Sequence, residues 1–278
     1  NNENEIFSNN KINLVSVASH DNYHFQHCKQ AIQNNKNVFI EKPALLNIKQ
    51  CKIIKRLLKK KEVGICSNLI LRRSPRFLSL KSRIERNFFG KLYYVEGDYN
   101  YGRLKKITEG WRSKINNYSV TLGGGIHIID LFLFLTEKKI IEVNTFGNKI
   151  VTKNEKTKFK DFVTSNLLFE NGMVGKISSN FGCVYPHFHK LNIYGTKKTF
   201  ENHFFYEKIF SVRDKIKFKT IKSKYLAQKG EMIETFIKNL ESNKQKKLMA
   251  QEMFDTLCVC YAIEESLKKN KKIKVNYI

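Results

Sequence analysis

The stretch Val38-Phe39-Ile40-Glu41-Lys42-Pro43 decides the fold. Its three apolar residues are too few for a helix and read as a short buried strand. Pro43 cannot donate a ladder hydrogen bond and biases the residue before it toward an extended backbone, so the strand stops there. Lys42 is left at the carboxyl end of a strand, which is where open α/β sheets bind their ligands. The plain alternative is a surface lysine at a strand end.

Working outward, residues 11–18 (KINLVSVA) read as a strand, 19–22 (SHDN) as a turn able to cap a helix, and 22–34 as that helix. With 38–40 they make one βαβ unit, right-handed if its strands are parallel. A second helix is expected over 47–60, with Ile48, Cys51, Ile54, Leu57 and Leu58 on its buried face, followed by a strand over 63–68 and a helix over 74–87. After Gly90 the pattern changes to strand-like runs at 91–101, 140–151, 159–169, 173–181 and 189–194, with Asn171-Gly172 the strongest hairpin signal. Helices over 230–241 and 249–269 close the chain. The fold class is therefore α/β followed by α+β: a partial Rossmann-type parallel sheet over 1–70, then a second domain over 71–278 with a large, open, mainly antiparallel sheet. The helix 249–269 is a candidate to pack back on the first domain.

At 278 residues and 41% apolar the chain can fill two cores, and it has no uncharged apolar run long enough to span a membrane. Six scattered cysteines without C-x-x-C spacing argue against zinc and fit a reducing cytoplasm, and no metal site is expected. The net charge of +26, from 51 basic and 25 acidic residues, invites a nucleic-acid reading. The lysines are spread over many elements with no nucleic-acid-binding motif, so an anionic small molecule is the better partner for that field.

A second stretch stands out. In Gly123-Gly124-Gly125-Ile126-His127-Ile128-Ile129-Asp130-Leu131, three glycines allow close backbone approach before a helix starts. His127 and Asp130 share one helical face, where the carboxylate could fix the imidazole tautomer, raise its pKa and suit it to acid–base work. A core histidine at a helix start is the alternative. Trp111, the sole tryptophan, is equally a core plug or a sugar platform.

Together these motifs resemble the Gfo/Idh/MocA family, named for glucose–fructose oxidoreductase, inositol dehydrogenase and a rhizopine catabolism protein. The carriers are Ala18-Ser19-His20-Asp21-Asn22-Tyr23-His24, Glu41-Lys42-Pro43, Asn68 and Arg72, residues 94–99, His127-x-x-Asp130-Leu131, Phe169-Glu170-Asn171-Gly172 and Gly195-Thr196, all in the family's order. The resemblance implies an oxidoreductase moving a hydride between NAD or NADP and a hydroxyl of a sugar, sugar derivative or cyclitol. Lys42 and His127 would be catalytic. Ala18, Ser19, His20, His24, Glu41, Lys42 and Pro43 would touch the cofactor. Tyr101, Arg103, Trp111, Arg112, Tyr118 and Asp130 would touch the substrate. It also implies a homo-oligomer built through the sheet of the second domain.

Three departures stand against it. His20 replaces the usual proline of the first motif. Gly123 stands where many members carry an aspartate four residues before the histidine, leaving the proton relay to His127 with Tyr118 or Asp130. No G-x-G-x-x-G occurs, and the chain opens, on Asn1, just before the third strand. We expect a truncated sequence that binds NAD(P) poorly as it stands. The rival expectation is a non-catalytic regulatory or binding protein on the same fold.

Overall fold

The structure, a computed structural model, describes residues 3–115, 118–213 and 215–278. After the short helix α1 (Glu3–Ser8) comes β1 (Leu14–Val17), and α2 (His24–Gln33) returns the chain so that β2 (Asn37–Ile40) runs parallel to it. Helix α3 (Ile48–Lys60) then brings β3 (Ile65–Ser67) parallel to the other side of β2. The order β1-β2-β3 puts β2 in the centre, and Val38, Phe39 and Ile40 are accordingly buried. Asn47 caps α3 by accepting from the Gln50 amide at 3.0 Å, and its last turn carries Lys59 and Lys60, the sign that the helix dipole favours.

A 3₁₀ turn (Ile70–Arg73) leads to α4 (Pro75–Glu85), whose cap is Ser74 and whose first residue is proline. Then come β4 (Leu92–Asn100), the short helix α5 (Lys105–Thr108) and α6 (Ile126–Thr136), followed by β5 (Ile140–Asn148), β6 (Phe162–Phe169), β7 (Val174–Asn180), β8 (Phe188–Gly195), β9 (Thr199–Asn202), β10 (Glu207–Phe210) and β11 (Phe218–Ile221). Helices α7 (Glu231–Asn239) and α8 (Asn243–Lys269) and the two-residue β12 (Ile273–Lys274) end the chain. The second sheet has nine strands in the order β11-β10-β9-β8-β4-β7-β6-β5-β12, antiparallel except where β4 and β7 run parallel.

Alternation along β4, β6 and β7 points Val95, Val163, Leu167 and Ile177 at the helices, and α6 lies against this face. Gly97 is what lets it lie so close: a Cβ there would sit 2.6 Å from Ile128 Cγ2. Helix α8 leans on the first sheet's side as well. Tyr261 Oη donates to the Leu45 carbonyl at 2.9 Å, and Lys55 Nζ donates to Gln251 Oε1 at 2.7 Å.

The fold class is as the sequence indicates, with three local differences. The four-residue strands β9 to β11 were not expected: each is too short to show a clear alternation, and the edge strand β11 (FKTI) sits inside a lysine-rich run that masks it further. Helix α8 starts at Asn243 rather than 249. Its cap, Ser242, accepts from the Gln245 amide at 3.3 Å, the serine half of an S-x-x-Q capping box. Helix α1 falls in a polar segment without apolar periodicity.

The Asn171-Gly172 turn joins β6 to β7 as read. Gly172 sits at φ +81, and a Cβ added there would meet nothing within 4 Å. Gly172→Ala therefore tests backbone strain alone. We expect it to cost about 1 kcal/mol, the order of a left-handed conformation for an L residue, read as a lower midpoint in urea unfolding with an unchanged slope.

Candidate active site

Lys42 follows β2 directly, as the strand-end reading required. Its peptide bond to Pro43 is cis, and Pro43, Ala44 and Leu45 are buried behind it. The half-buried ammonium reaches across to the second sheet's side and donates to the carbonyl of Gly123. Burial pushes Lys42 down to about 8; the Asp21 carboxylate opposes this, the Arg112 guanidinium adds to it, and Glu41 opposes it.

Residues 121–125 form one π-type turn that runs into α6. Their three glycines are needed for space. A Cβ on Gly123 would lie 2.1 Å from Tyr118 Oη, one on Gly124 2.3 Å from the Tyr99 ring, and one on Gly125 2.2 Å from Ser179 Oγ. Pressed in this way, the turn sets His127 on the first turn of α6, only 5% exposed. Its Nδ1 is sealed without a partner, while Nε2 carries no hydrogen bond and stays open. His127 stacks on Tyr99 at 6.1 Å and meets His189 edge-on at 5.7 Å.

Burial lowers the His127 pKa well below the ordinary 6.5, helped by the charge of Lys42 and by His189 and His187. This corrects the expectation that Asp130 raises it. Asp130 is buried and takes both of its oxygens to Arg72 instead: Nε donates at 3.0 and 2.9 Å and Nη2 at 2.7 Å. Thr256 Oγ1 adds a bond at 3.1 Å, and Arg72 also pairs with Glu252 at 2.6 Å. Asp130 therefore ties α6 to the turn after β3 and to α8, and is not placed among the substrate residues.

The expected cofactor residues divide. His24 is buried, with Nδ1 2.8 Å from the Pro43 carbonyl and Nε2 2.9 Å from the Ser19 carbonyl, so it braces two strand ends against each other. Glu41 accepts from Asn68 Nδ2 at 2.6 Å, which joins the ends of β2 and β3. Ser19 Oγ is engaged with His27 Nδ1 at 3.0 Å. Ala18, His20 and Lys42 keep open surface at the crevice, while Pro43 is buried.

The expected substrate residues, Asp130 apart, do gather. Tyr101 stacks on Tyr99 at 5.9 Å, Trp111 lies flat on His20 at 4.5 Å, and the Arg112 guanidinium covers Trp111 at 4.3 Å. Arg103 covers Tyr101 at 5.6 Å, and Tyr118 is buried with its hydroxyl over Gly123. Four further residues were missed: Asp21, Tyr99, His187 and His189. His187-x-His189 carries a signal, since alternate residues entering a strand face the same way. The two rings lie 4.9 Å apart. Burial lowers His187 to about 4, with Arg103, Lys42 and Lys106 adding to it, and lowers His189 to about 3, with His187 and Lys42 adding to it. Near neutral pH the site is thus a row of three uncharged imidazoles beside a lysine. Among the described residues no group of histidine, cysteine, aspartate or glutamate side chains is arranged to hold a metal ion.

A lysine at a parallel strand end, facing a histidine on a helix of a large mixed sheet, is the layout of a class of oxidoreductases with a Rossmann fold. Residues 1–68 match the family model described as oxidoreductase family, NAD-binding Rossmann fold, and residues 77–201 match the model of the GFO/IDH/MocA C-terminal domain. The chain belongs to the Gfo/Idh/MocA family. It is 28% identical over 131 residues to an uncharacterized oxidoreductase YhhX of Escherichia coli, a match covering 47% of this chain and 37% of that one. It is 22% identical over 298 residues to a myo-inositol 2-dehydrogenase of Thermotoga maritima, covering 99% of this chain and 83% of that one. The first two curated relatives are matched over 37% and 56% of their own lengths. Levoglucosan dehydrogenase in complex with NADH and levoglucosan superposes with a TM-score of 0.81 at 18% identity, covering 100% of this chain and 83% of that one.

Two measurements check the site. Asp130→Ala should lower stability by about 2–3 kcal/mol, because buried Arg72 loses its bidentate partner and keeps only Glu252, as thermal unfolding would show. In imidazole NMR, His127, His187 and His189 should all remain neutral as pH falls from 8 to 6; an imidazolium signal from any of them at pH 6 contradicts the electrostatics.

Proposed function

We propose that this chain is an NAD- or NADP-dependent oxidoreductase acting on a hydroxyl of a sugar, sugar derivative or cyclitol. One observation carries the reading: Lys42, from the end of β2, donates to the Gly123 carbonyl in the turn that sets His127 at the start of α6, so the two meet at one crevice. The residues present fit the nicotinamide end of a dinucleotide. Ala18, His20 and Lys42 line the open carboxyl ends of β1 and β2, where such ligands sit. When bound, the nicotinamide supplies or takes up the hydride. The chain's own groups handle the proton and the charge. His127, neutral and open at Nε2, accepts the hydroxyl proton there and returns it in the reverse direction. Lys42, while protonated, holds the oxygen as negative charge builds on it. Tyr99, Tyr101 and Phe181 give the sugar ring an apolar floor. Six free cysteines, five of them buried, fit a reducing cytoplasm. Among the described residues no helix is long and apolar enough to cross a membrane. The outer face of the nine-stranded sheet, with Phe146, Leu168 and Val174 exposed, is the proposed self-association surface.

One observation favours a second reading, a regulatory or binding protein on the same fold. The Lys42 ammonium already has an internal acceptor in the Gly123 carbonyl.

The test is a panel of sugars, cyclitols and nucleotide sugars with NAD and with NADP, followed by nicotinamide absorbance. Turnover should appear with at least one pair and fall about 10²-fold or more in Lys42→Ala. Full turnover in that variant removes Lys42 from the mechanism, and saturable NADH or NADPH binding, shown by fluorescence, without turnover of any pair favours the regulatory reading. The pH profile of kcat/KM should fall on the alkaline side as Lys42 loses its proton near pH 8, and on the acid side only well below pH 6.5, where His127 becomes protonated.

A further inference from the structure

The segment between β4 and the π-type turn brings cations to the site and almost no acid. Arg103 lies against Tyr101, and Arg112 lies against Trp111, whose ring is itself stacked on His20. Each guanidinium lies over its ring, and among the described residues neither makes a hydrogen bond or ion pair, so their forked donors remain available. Among the described residues no carboxylate oxygen comes within 4.0 Å of the side-chain nitrogens of Arg103, Lys106, Arg112 or Lys42. The other arginines of the core are treated differently: Arg72 is paired with Asp130 and Glu252, and Arg76 and Arg83 with Glu207.

The charges of Arg103 and Arg112 both reach Tyr99, and that of Arg112 also reaches Asp21, Lys42 and Tyr118. The two guanidiniums therefore flank the floor of the crevice rather than its outside. Two carboxylates stand against these four cations. Glu41 is taken by Asn68, and Asp21 is buried, its carboxyl pKa raised by that burial. Beside them, His187 Nε2 is sealed without a partner, and so is His127 Nδ1 on a residue 95% removed from solvent. Free forked donors, uncharged imidazoles and an aromatic floor together suit an anionic ligand.

We propose that the ligand of this site is a sugar or cyclitol bearing an acidic substituent, a carboxylate or a phosphate, seated by Arg103 and Arg112 on either side of Tyr99, with its hydroxyls along His127, His187 and His189. Each guanidinium edge matches two oxygens of such a group, which a neutral hydroxyl does not. Lys106 adds field without a fixed contact. This inference rests on the reading of the crevice as an oxidoreductase site and narrows its substrate class.

Trp111, the sole tryptophan, stacks under Arg112, so its fluorescence reports on this segment alone. Glucuronate, glucose 6-phosphate, glucose and myo-inositol are titrated with and without NADH, by fluorescence and by calorimetry. At least one acid sugar should bind about tenfold or more tightly than glucose and myo-inositol. The preference should shrink with added salt. It should be lost in Arg103→Gln and in Arg112→Gln and retained in Arg86→Gln, a surface control. Arg103 is exposed, so its replacement does not threaten folding. Glucuronate binding alone identifies a carboxylate, glucose 6-phosphate alone a phosphate, and both together the shared anion chemistry. Equal affinity for the neutral sugars, no binding of either acid sugar, or acid binding unchanged in both arginine variants overturns the proposal. The two readings fail separately. Acid sugars that bind but are never oxidised sink the oxidoreductase reading and leave the anion seat. Neutral sugars that are bound equally well and oxidised do the reverse.

Discussion

The buried pair of Arg72 and Asp130 is the constraint on which the site depends. Arg72 belongs to the turn that leaves the parallel sheet, Asp130 to the helix that lies on the second sheet, and Thr256 and Glu252 bring α8 to the same point. A bidentate guanidinium–carboxylate contact tolerates little rotation. Asp130 and His127 are three residues apart on one helix, so fixing the first fixes the azimuth of the second. The π-type turn then sets its height, because three glycines are wedged against Tyr118, Tyr99 and Ser179. A buried ion pair adds little net stability over apolar packing, but it punishes misalignment severely. Here that penalty holds a histidine opposite a lysine from another sheet.

The electrostatics of the crevice follow from burial before they follow from any pair of residues. Withdrawal from water lowers Lys42 and all three imidazoles together, because every one of them is cationic when protonated. Among such neighbours the proton stays with the amine, the strongest base. The result is one retained charge on Lys42 and three neutral rings, a division of labour suited to holding an oxygen and moving a proton. A partner carboxylate on His127 would have worked against it by drawing a proton onto the ring.

Much of the fold was legible because it is written in local signals. Pro43 ends a strand, Asn47 and Ser74 cap helices, and Asn171-Gly172 turns a hairpin whatever surrounds them. Strands β9 to β11 were not, because each has only four residues, too few for a clear alternation, and lysines surround β11 at the sheet edge. Lys42 and His127 could be picked out by their positions at element ends. Asp130 could not be assigned correctly, since helical spacing says that it shares a face with His127 and nothing about the arginine 58 residues upstream that claims it. Tyr99 and the pair His187 and His189 were missed for a related reason. Each reads as an ordinary strand residue, and only the pairing of β4 with β8, Tyr99 opposite His189, brings them to the histidine of α6.

Gly123 connects these points. A side chain at that position and the Tyr118 hydroxyl would compete for one space, since a Cβ would stand 2.1 Å from the oxygen. Tyr118 in this pose therefore requires glycine at 123. The glycine places no charge beside Lys42, whose ammonium donates to its backbone carbonyl. A carbonyl dipole holds a cation less firmly than a carboxylate does, which fits an amine that burial can push down to about 8. The crevice is left with a surplus of positive charge that no side chain of its own neutralises. A ligand carrying its own acid group would restore the balance while bound, and would thereby raise the fraction of Lys42 that is protonated when the hydroxyl reacts.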